Sequence, residues 1–206
     1  MLHETLWLRH EAIAKRCLEV PFVAGLGDGT LDSDAFRRYV AQDAFFLRAF
    51  FKAYALAMAK SEDFEHSKAF HSLARGVVDE LELHARFAAQ LNIDLEHVKP
   101  CAAASAYTDF LLRVAWQGSL GEIVAAMVPC LRLYAYLGTA FQGQLRPGHP
   151  YADWIVTYAS EGFLRLCSQL ETLLDQLGTD VAAIDDAYRY AMECELEFFA
   201  APLKGV

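Results

Sequence analysis

Apolar residues recur every three or four positions along nearly the whole chain, and no stretch alternates Val, Ile or Thr with polar residues around a hairpin dipeptide. That period fits α-helices and excludes a sheet, so the sequence predicts an all-α, compact multi-helix bundle. Helices are expected over roughly 4–19, 33–60, 61–91, 102–117, 119–141, 151–177 and 180–201. Ser33 is the expected N-cap of the second, and the third is expected to break near Gly76. Ser119 and Glu122 have capping-box spacing. Gly25-Leu26-Gly27-Asp28-Gly29 reads as a turn, and Arg146-Pro147-Gly148-His149-Pro150 as a loop. No linker, repeat or low-complexity segment divides the chain, so residues 1–206 are expected to form one domain.

Acids interrupt three of the apolar stripes. Phe36, Tyr39, Val40, Phe46, Leu47, Phe50 and Tyr54 share a helical face with Asp43 at its middle. Tyr188, Ala191, Met192, Phe198 and Phe199 surround Glu195, and a third face carries Glu80 and His84. An unpaired buried carboxylate costs several kcal/mol, so each of these must find a partner, take up a proton or line a polar pocket.

The formal charge of −9, with no cluster of Lys or Arg, argues against nucleic acid and anionic membrane surfaces as partners. Five scattered cysteines without CxxC spacing argue against a disulfide framework or a zinc site and favour a reducing compartment. The apolar run Ile123 to Leu131 is too short to span a bilayer, and the N-terminus lacks signal-peptide features, so a cytoplasmic protein is expected. A hydrophobic fraction of 55% and a mean hydropathy of +0.17 leave apolar surface for subunit interfaces or a pocket.

Pro129-Cys130 falls inside a helix, with Tyr134 one turn on. Proline removes a backbone donor and is expected to kink the helix beside the thiol. A mid-helix cysteine commonly just packs, and an acid on an apolar stripe can form a salt bridge. Two inward acids with a thiol, however, are also the equipment of nucleophilic and acid–base chemistry. Glu80 and His84, four apart on one face, fit a Glu–His hydrogen bond better than a metal site, since no second helix carries Glu-x-x-His. Tyr158 lies off the leucine stripe of its helix and is free to reach a pocket, and His149 is expected to cap or face solvent.

In this order the motifs resemble the TenA family, which comprises thiaminase II and aminopyrimidine aminohydrolase and has a haem-oxygenase-like fold. The resemblance rests on Tyr39-Val40-Ala41-Gln42-Asp43, Ala53-Tyr54-Ala55-Leu56-Ala57, Glu80-Leu81-Glu82-Leu83-His84 and Pro129-Cys130-Leu131-Arg132-Leu133-Tyr134. It continues through His149-Pro150-Tyr151 to Tyr158 and ends at Glu195-Leu196-Glu197-Phe198-Phe199. The resemblance implies a homotetrameric hydrolase without cofactor or metal. It would release 4-amino-5-hydroxymethyl-2-methylpyrimidine from its aminomethyl analogue, and less readily from thiamin. Cys130 is the implied nucleophile, placing the chain in the cysteine-bearing branch, and Glu195 the implied acid and base. Asp43 would pair with the aminopyrimidine edge, and Tyr134 and Tyr158 would orient ring and catalytic groups; Phe46 and His84 complete the expected substrate-binding set. Phe46 stands where thiaminase-like members usually carry tyrosine, which removes a hydroxyl near the ring and bears on which pyrimidine is preferred. Phe199 stands where tryptophan is common. Two other functions fit the same scaffold: a metal-dependent oxidase using Glu80 and His84, and a non-catalytic pyrimidine- or thiamin-binding protein.

Overall fold

A computed structural model describes residues 1–204, and among them there are nine α-helices and no strand. They are α1 (Leu2–Glu19), α2 (Pro21–Asp28), α3 (Ser33–Lys60), α4 (Phe64–Leu91), α5 (Ala102–Gln117), α6 (Leu120–Phe141), α7 (Ala152–Tyr158), α8 (Glu161–Leu177) and α9 (Val181–Ala200). The expected all-α bundle is what forms. The Ser119–Glu122 capping box closes at the head of α6, with the Ser119 hydroxyl accepting from the Glu122 amide.

The differences lie at punctuation. Asp32, not Ser33, caps α3, its carboxylate accepting from the Ala35 amide at 3.1 Å. The glycine-rich segment expected as a turn is mostly the helix α2, which stops at Gly29 in the left-handed region (φ 81°). Its glycines serve close approach instead: a Cβ on Gly27 would lie 2.5 Å from the Phe141 ring. α4 runs unbroken through Gly76, where a side chain would meet Leu166. The expected 151–177 helix is two, α7 and α8, separated where the Ser160 hydroxyl caps α8 by accepting from the Phe163 amide.

α6 is buried around nearly its whole circumference, as a helix with apolar residues on every side must be. Leu120–Gln144 is apolar and long enough to cross a membrane by composition alone, yet 72% of its apolar window is buried inside the bundle. α6 packs on α8 and α9, α3 packs on α4 and α5, and α7 lies against α6. Gly138 permits that last contact, because a Cβ there would lie 2.8 Å from the Tyr158 carbonyl carbon. The inward faces of α3, α4, α6, α7 and α9 meet around one polar patch in an aromatic core.

Candidate active site

Each of the three stripe acids points inward and finds a different partner. Asp43, 3% exposed, accepts from the Tyr39 hydroxyl one turn earlier on α3 at 2.8 Å. Its same oxygen, Oδ2, is 2.7 Å from His84 Nε2 on α4. The other ring nitrogen of His84, Nδ1, is 3.0 Å from the Glu80 carbonyl oxygen. The ring thus bridges α3 and the α4 backbone, with Nδ1 facing a carbonyl that can only accept and Nε2 facing the Asp43 carboxyl. Burial opposes the charged ring, but Asp43, by its charge and hydrogen bond, and Glu80, by its charge and then its carbonyl, outweigh it and raise His84 above its ordinary value.

The expected side-chain hydrogen bond between Glu80 and His84 is therefore not what forms. His84 takes the backbone carbonyl of Glu80, and the Glu80 carboxylate accepts from Tyr158 at 2.6 Å. The two side chains diverge, and among the described residues no three His, Cys, Asp or Glu converge on a metal position. Burial first, and the nearby Asp43 second, push Glu80 up to about 7, against the lowering effect of His84 and Tyr158.

Glu195, 1% exposed, accepts from the Tyr107 hydroxyl at 2.9 Å, and the Cys130 thiol lies beside its carboxyl. Burial is the main force on Glu195; Tyr107 and Cys130 partly offset it, Asp43 and Glu80 add to it, and the result is about 8. Cys130 is driven well above its ordinary value by burial and then by Glu195, Glu80 and Asp43. Its neighbour Pro129 brings no N–H to the helix, leaving the Ala125 carbonyl without its helical donor within a continuous α6.

Aromatic rings fill the space between these acids. Tyr134, one turn after Cys130, has its hydroxyl 3.3 Å from that of Tyr39 and its ring 4.7 Å from Tyr158 and 5.3 Å from Phe199. Trp154 donates its indole N–H to the Tyr39 hydroxyl at 3.1 Å. Phe46 is buried against Tyr107, ring centroids 4.5 Å apart. The structure thus gathers Cys130, Glu195, Asp43, Tyr134, Tyr158, Phe46 and His84 into one buried region. His84 reaches a ligand only through Asp43, since both its nitrogens are occupied. His149 lies apart from these residues and does not face solvent: it is buried, with Nε2 3.1 Å from the Gly27 carbonyl in the last turn of α2, the capping position expected as the other alternative.

Sequence reading missed three participants. Tyr39 was legible, lying one turn from Asp43 on the same stripe. Tyr107 and Trp154 were not, because a core tyrosine or tryptophan gives the same periodicity whether its polar tip is used or idle.

Residues 7–204 match the model of the TENA/THI-4/PQQC family. The aminopyrimidine aminohydrolase of Halalkalibacterium halodurans is 36% identical over 164 residues, covering 76% of this chain and 72% of that protein. The bifunctional TH2 protein of Arabidopsis thaliana is 34% identical over 95% of this chain, which spans only 36% of that longer protein. The TenA homologue of P. horikoshii superposes with a TM-score of 0.93 at 29% identity, covering all of both chains. Haem oxygenase-1 of Synechocystis, at 18% identity and a TM-score of 0.62 over 96% of this chain and 90% of that one, shares the fold. The match over residues 7–204 and the identity to these relatives show that this chain belongs to the TENA/THI-4/PQQC family.

Proposed function

We propose that the protein hydrolyses aminomethyl-pyrimidine to 4-amino-5-hydroxymethyl-2-methylpyrimidine and ammonia, and thiamin less readily, with Cys130 as nucleophile and Glu195 as acid and base. The observation that carries this is the buried Cys130–Glu195–Tyr107 array: a thiol beside a carboxyl that retains its proton to about pH 8 and is fixed by a phenol. The relatives named aminopyrimidine aminohydrolases support the substrate class.

The thiolate is the reactive form, and in the empty site it is strongly disfavoured. A cationic substrate entering among three carboxyls favours ionisation of the thiol, whose proton passes to solvent, so the nucleophile forms when the ligand arrives. Sulfur adds to a ring carbon, and the electron pair released into the ring expels the leaving group from the exocyclic carbon. The amine nitrogen and Glu195 hold one proton between them, and ammonia leaves when that proton is on nitrogen. Glu195, now a carboxylate, takes a proton from water as the hydroxyl joins the exocyclic carbon, and the carbon–sulfur bond then breaks to restore the ring. One water is consumed and one ammonia released. Asp43, held by His84 and Tyr39, faces the aminopyrimidine edge, while Tyr134, Tyr158 and Phe46 form the surrounding wall. We assign the chain to the cysteine-bearing branch on Cys130 and expect a cytoplasmic homotetramer.

The test is steady-state release of hydroxymethylpyrimidine and ammonia from the aminomethyl compound, with thiamin as competitor. Equal amounts of the two products, with thiamin the slower substrate, are expected. No release from either compound removes the proposal.

A further inference from the structure

Asp43 is held by one of its two oxygens. The Tyr39 hydroxyl at 2.8 Å and His84 Nε2 at 2.7 Å both meet Oδ2, and among the described residues nothing bonds to Oδ1. The Tyr39 oxygen is held in turn. Trp154 of α7 donates its indole N–H to it at 3.1 Å, and the Tyr134 hydroxyl stands 3.3 Å away. Trp154 and Tyr39 are both buried, so neither exchanges its partner for water. The steps above use Asp43 and give Trp154 no part.

An indole N–H can only donate. It occupies a lone pair of the Tyr39 oxygen and leaves the Tyr39 proton to point elsewhere, and the shorter of the two remaining contacts is to Asp43 Oδ2. At the other partner, the proton between His84 Nε2 and Asp43 lies on the Oδ2 side whichever of the two atoms carries it. Oδ1 therefore stays an acceptor in either case. A buried indole N–H needs an acceptor for its own sake. Here the acceptor is the same hydroxyl that aims the carboxyl.

We infer that Trp154 is a positioning residue for substrate choice. Through Tyr39 it pins Asp43 by Oδ2 and keeps Oδ1 an open acceptor, so the site takes a pyrimidine with an N–H donor at ring position 4 and rejects its 4-oxo counterpart. This deepens the hydrolase reading and rests on it. A 4-amino group offers donors to Oδ1, whereas a 4-oxo group sets oxygen against oxygen. A site that leaves a buried polar group unpaired rejects the wrong ligand more strongly than an apolar pocket does. Without the Trp154 N–H, the Tyr39 oxygen regains a lone pair and its hydroxyl is free to turn toward Tyr134. Asp43 then loses one of the two bonds that aim it.

The test is calorimetric titration of the full chain with 4-amino-5-hydroxymethyl-2-methylpyrimidine and with its 4-oxo counterpart, for the unaltered protein, Trp154→Phe and Tyr39→Phe. The unaltered protein is expected to bind the amino compound about tenfold or more tightly, the effect of one hydrogen bond to a buried carboxyl. Trp154→Phe keeps an aromatic ring and removes the N–H. It is expected to cut that ratio about two- to tenfold, the effect of one neutral hydrogen bond, by weakening the amino compound alone. Tyr39→Phe removes the next link, is expected to cut the ratio at least as far, and carries the test alone if Trp154→Phe does not fold. No preference in the unaltered protein, a ratio that folded Trp154→Phe leaves unchanged, or equal loss of both affinities overturns the inference. Turnover of the aminomethyl compound by the unaltered protein then leaves the hydrolase reading standing. Binding of neither compound, with no turnover, overturns both.

Discussion

Two carboxyl–tyrosine clusters flank α6, and the chain treats them oppositely. On one side Glu171 of α8 has Arg132 of α6 at 3.6 Å, and the Arg132 guanidinium lies 4.8 Å over the Trp7 ring with Tyr188 nearby. This cluster reaches solvent, with Arg132 38% exposed. On the other side Asp43, Glu80 and Glu195 turn inward among His84 and the tyrosines Tyr39, Tyr107, Tyr134 and Tyr158, and among the described residues no Lys or Arg bonds to them. Both sides raise a glutamate by burial, but at Glu171 the arginine pulls back, whereas at Glu195 only phenol and thiol do. A structural acid is given a cation. Glu80 and Glu195 of the site are left to hold protons, at a cost in stability.

The sharpest break in this comparison is Glu195→Gln, which keeps the shape and removes the proton. Its turnover of aminomethyl-pyrimidine is expected to fall by about 10²–10⁴-fold, the usual contribution of a general acid–base, in a steady-state assay. In the unaltered protein kcat/KM is expected to fall as pH rises beyond about 8, once the proton shared by Glu195 and the amine is lost.

Stability gives the next largest effect. Glu80 and Glu195 bind their protons more tightly folded than unfolded, near 7 and 8 against an ordinary 4.5. Between pH 4.5 and 8 the folded state therefore carries more protons, and stability must fall as pH rises. The stabilisation is fully present below 4.5 and lost through about 7 and 8, on the order of a few kcal/mol in total. Denaturant unfolding of the ligand-free protein at several pH values reads that slope, and Glu195→Gln is expected to flatten it.

Tyr107→Phe removes the phenol that holds Glu195. A roughly tenfold loss in kcat is expected, the worth of one hydrogen bond to a charged group. Because Tyr107 lowers Glu195, its loss should also move the alkaline limb of the pH profile upward, which a merely structural role would not do. On the other side of α6, Arg132→Met should leave turnover unchanged and cost about 1 kcal/mol or less in thermal unfolding, as a half-exposed pair does.

The sequence displayed one side of this contrast better than the other. Asp43 and Glu195 stood out because a charge on an apolar stripe is anomalous in one dimension. Their partners did not, since His84 meets Asp43 across 41 positions and Tyr107 meets Glu195 across 88, and only packing brings them together. The Glu80–His84 pairing was misread for the same reason: spacing put the two on one face, but α3 and α7 supplied better partners to each. Helices were legible through their period. The run at Gly25–Gly29 was not, because α2 keeps its glycines for contact with Phe141 and Leu31, which no local rule reveals.

The central claim is that the buried thiol beside Glu195 does the chemistry. Its most direct test incubates the unaltered protein and Cys130→Ala with aminomethyl-pyrimidine and with thiamin and quantifies hydroxymethylpyrimidine by mass spectrometry. Product from the unaltered protein and none from Cys130→Ala, with calorimetry showing that the variant still binds the pyrimidine, is the predicted result. Full turnover by Cys130→Ala would contradict it.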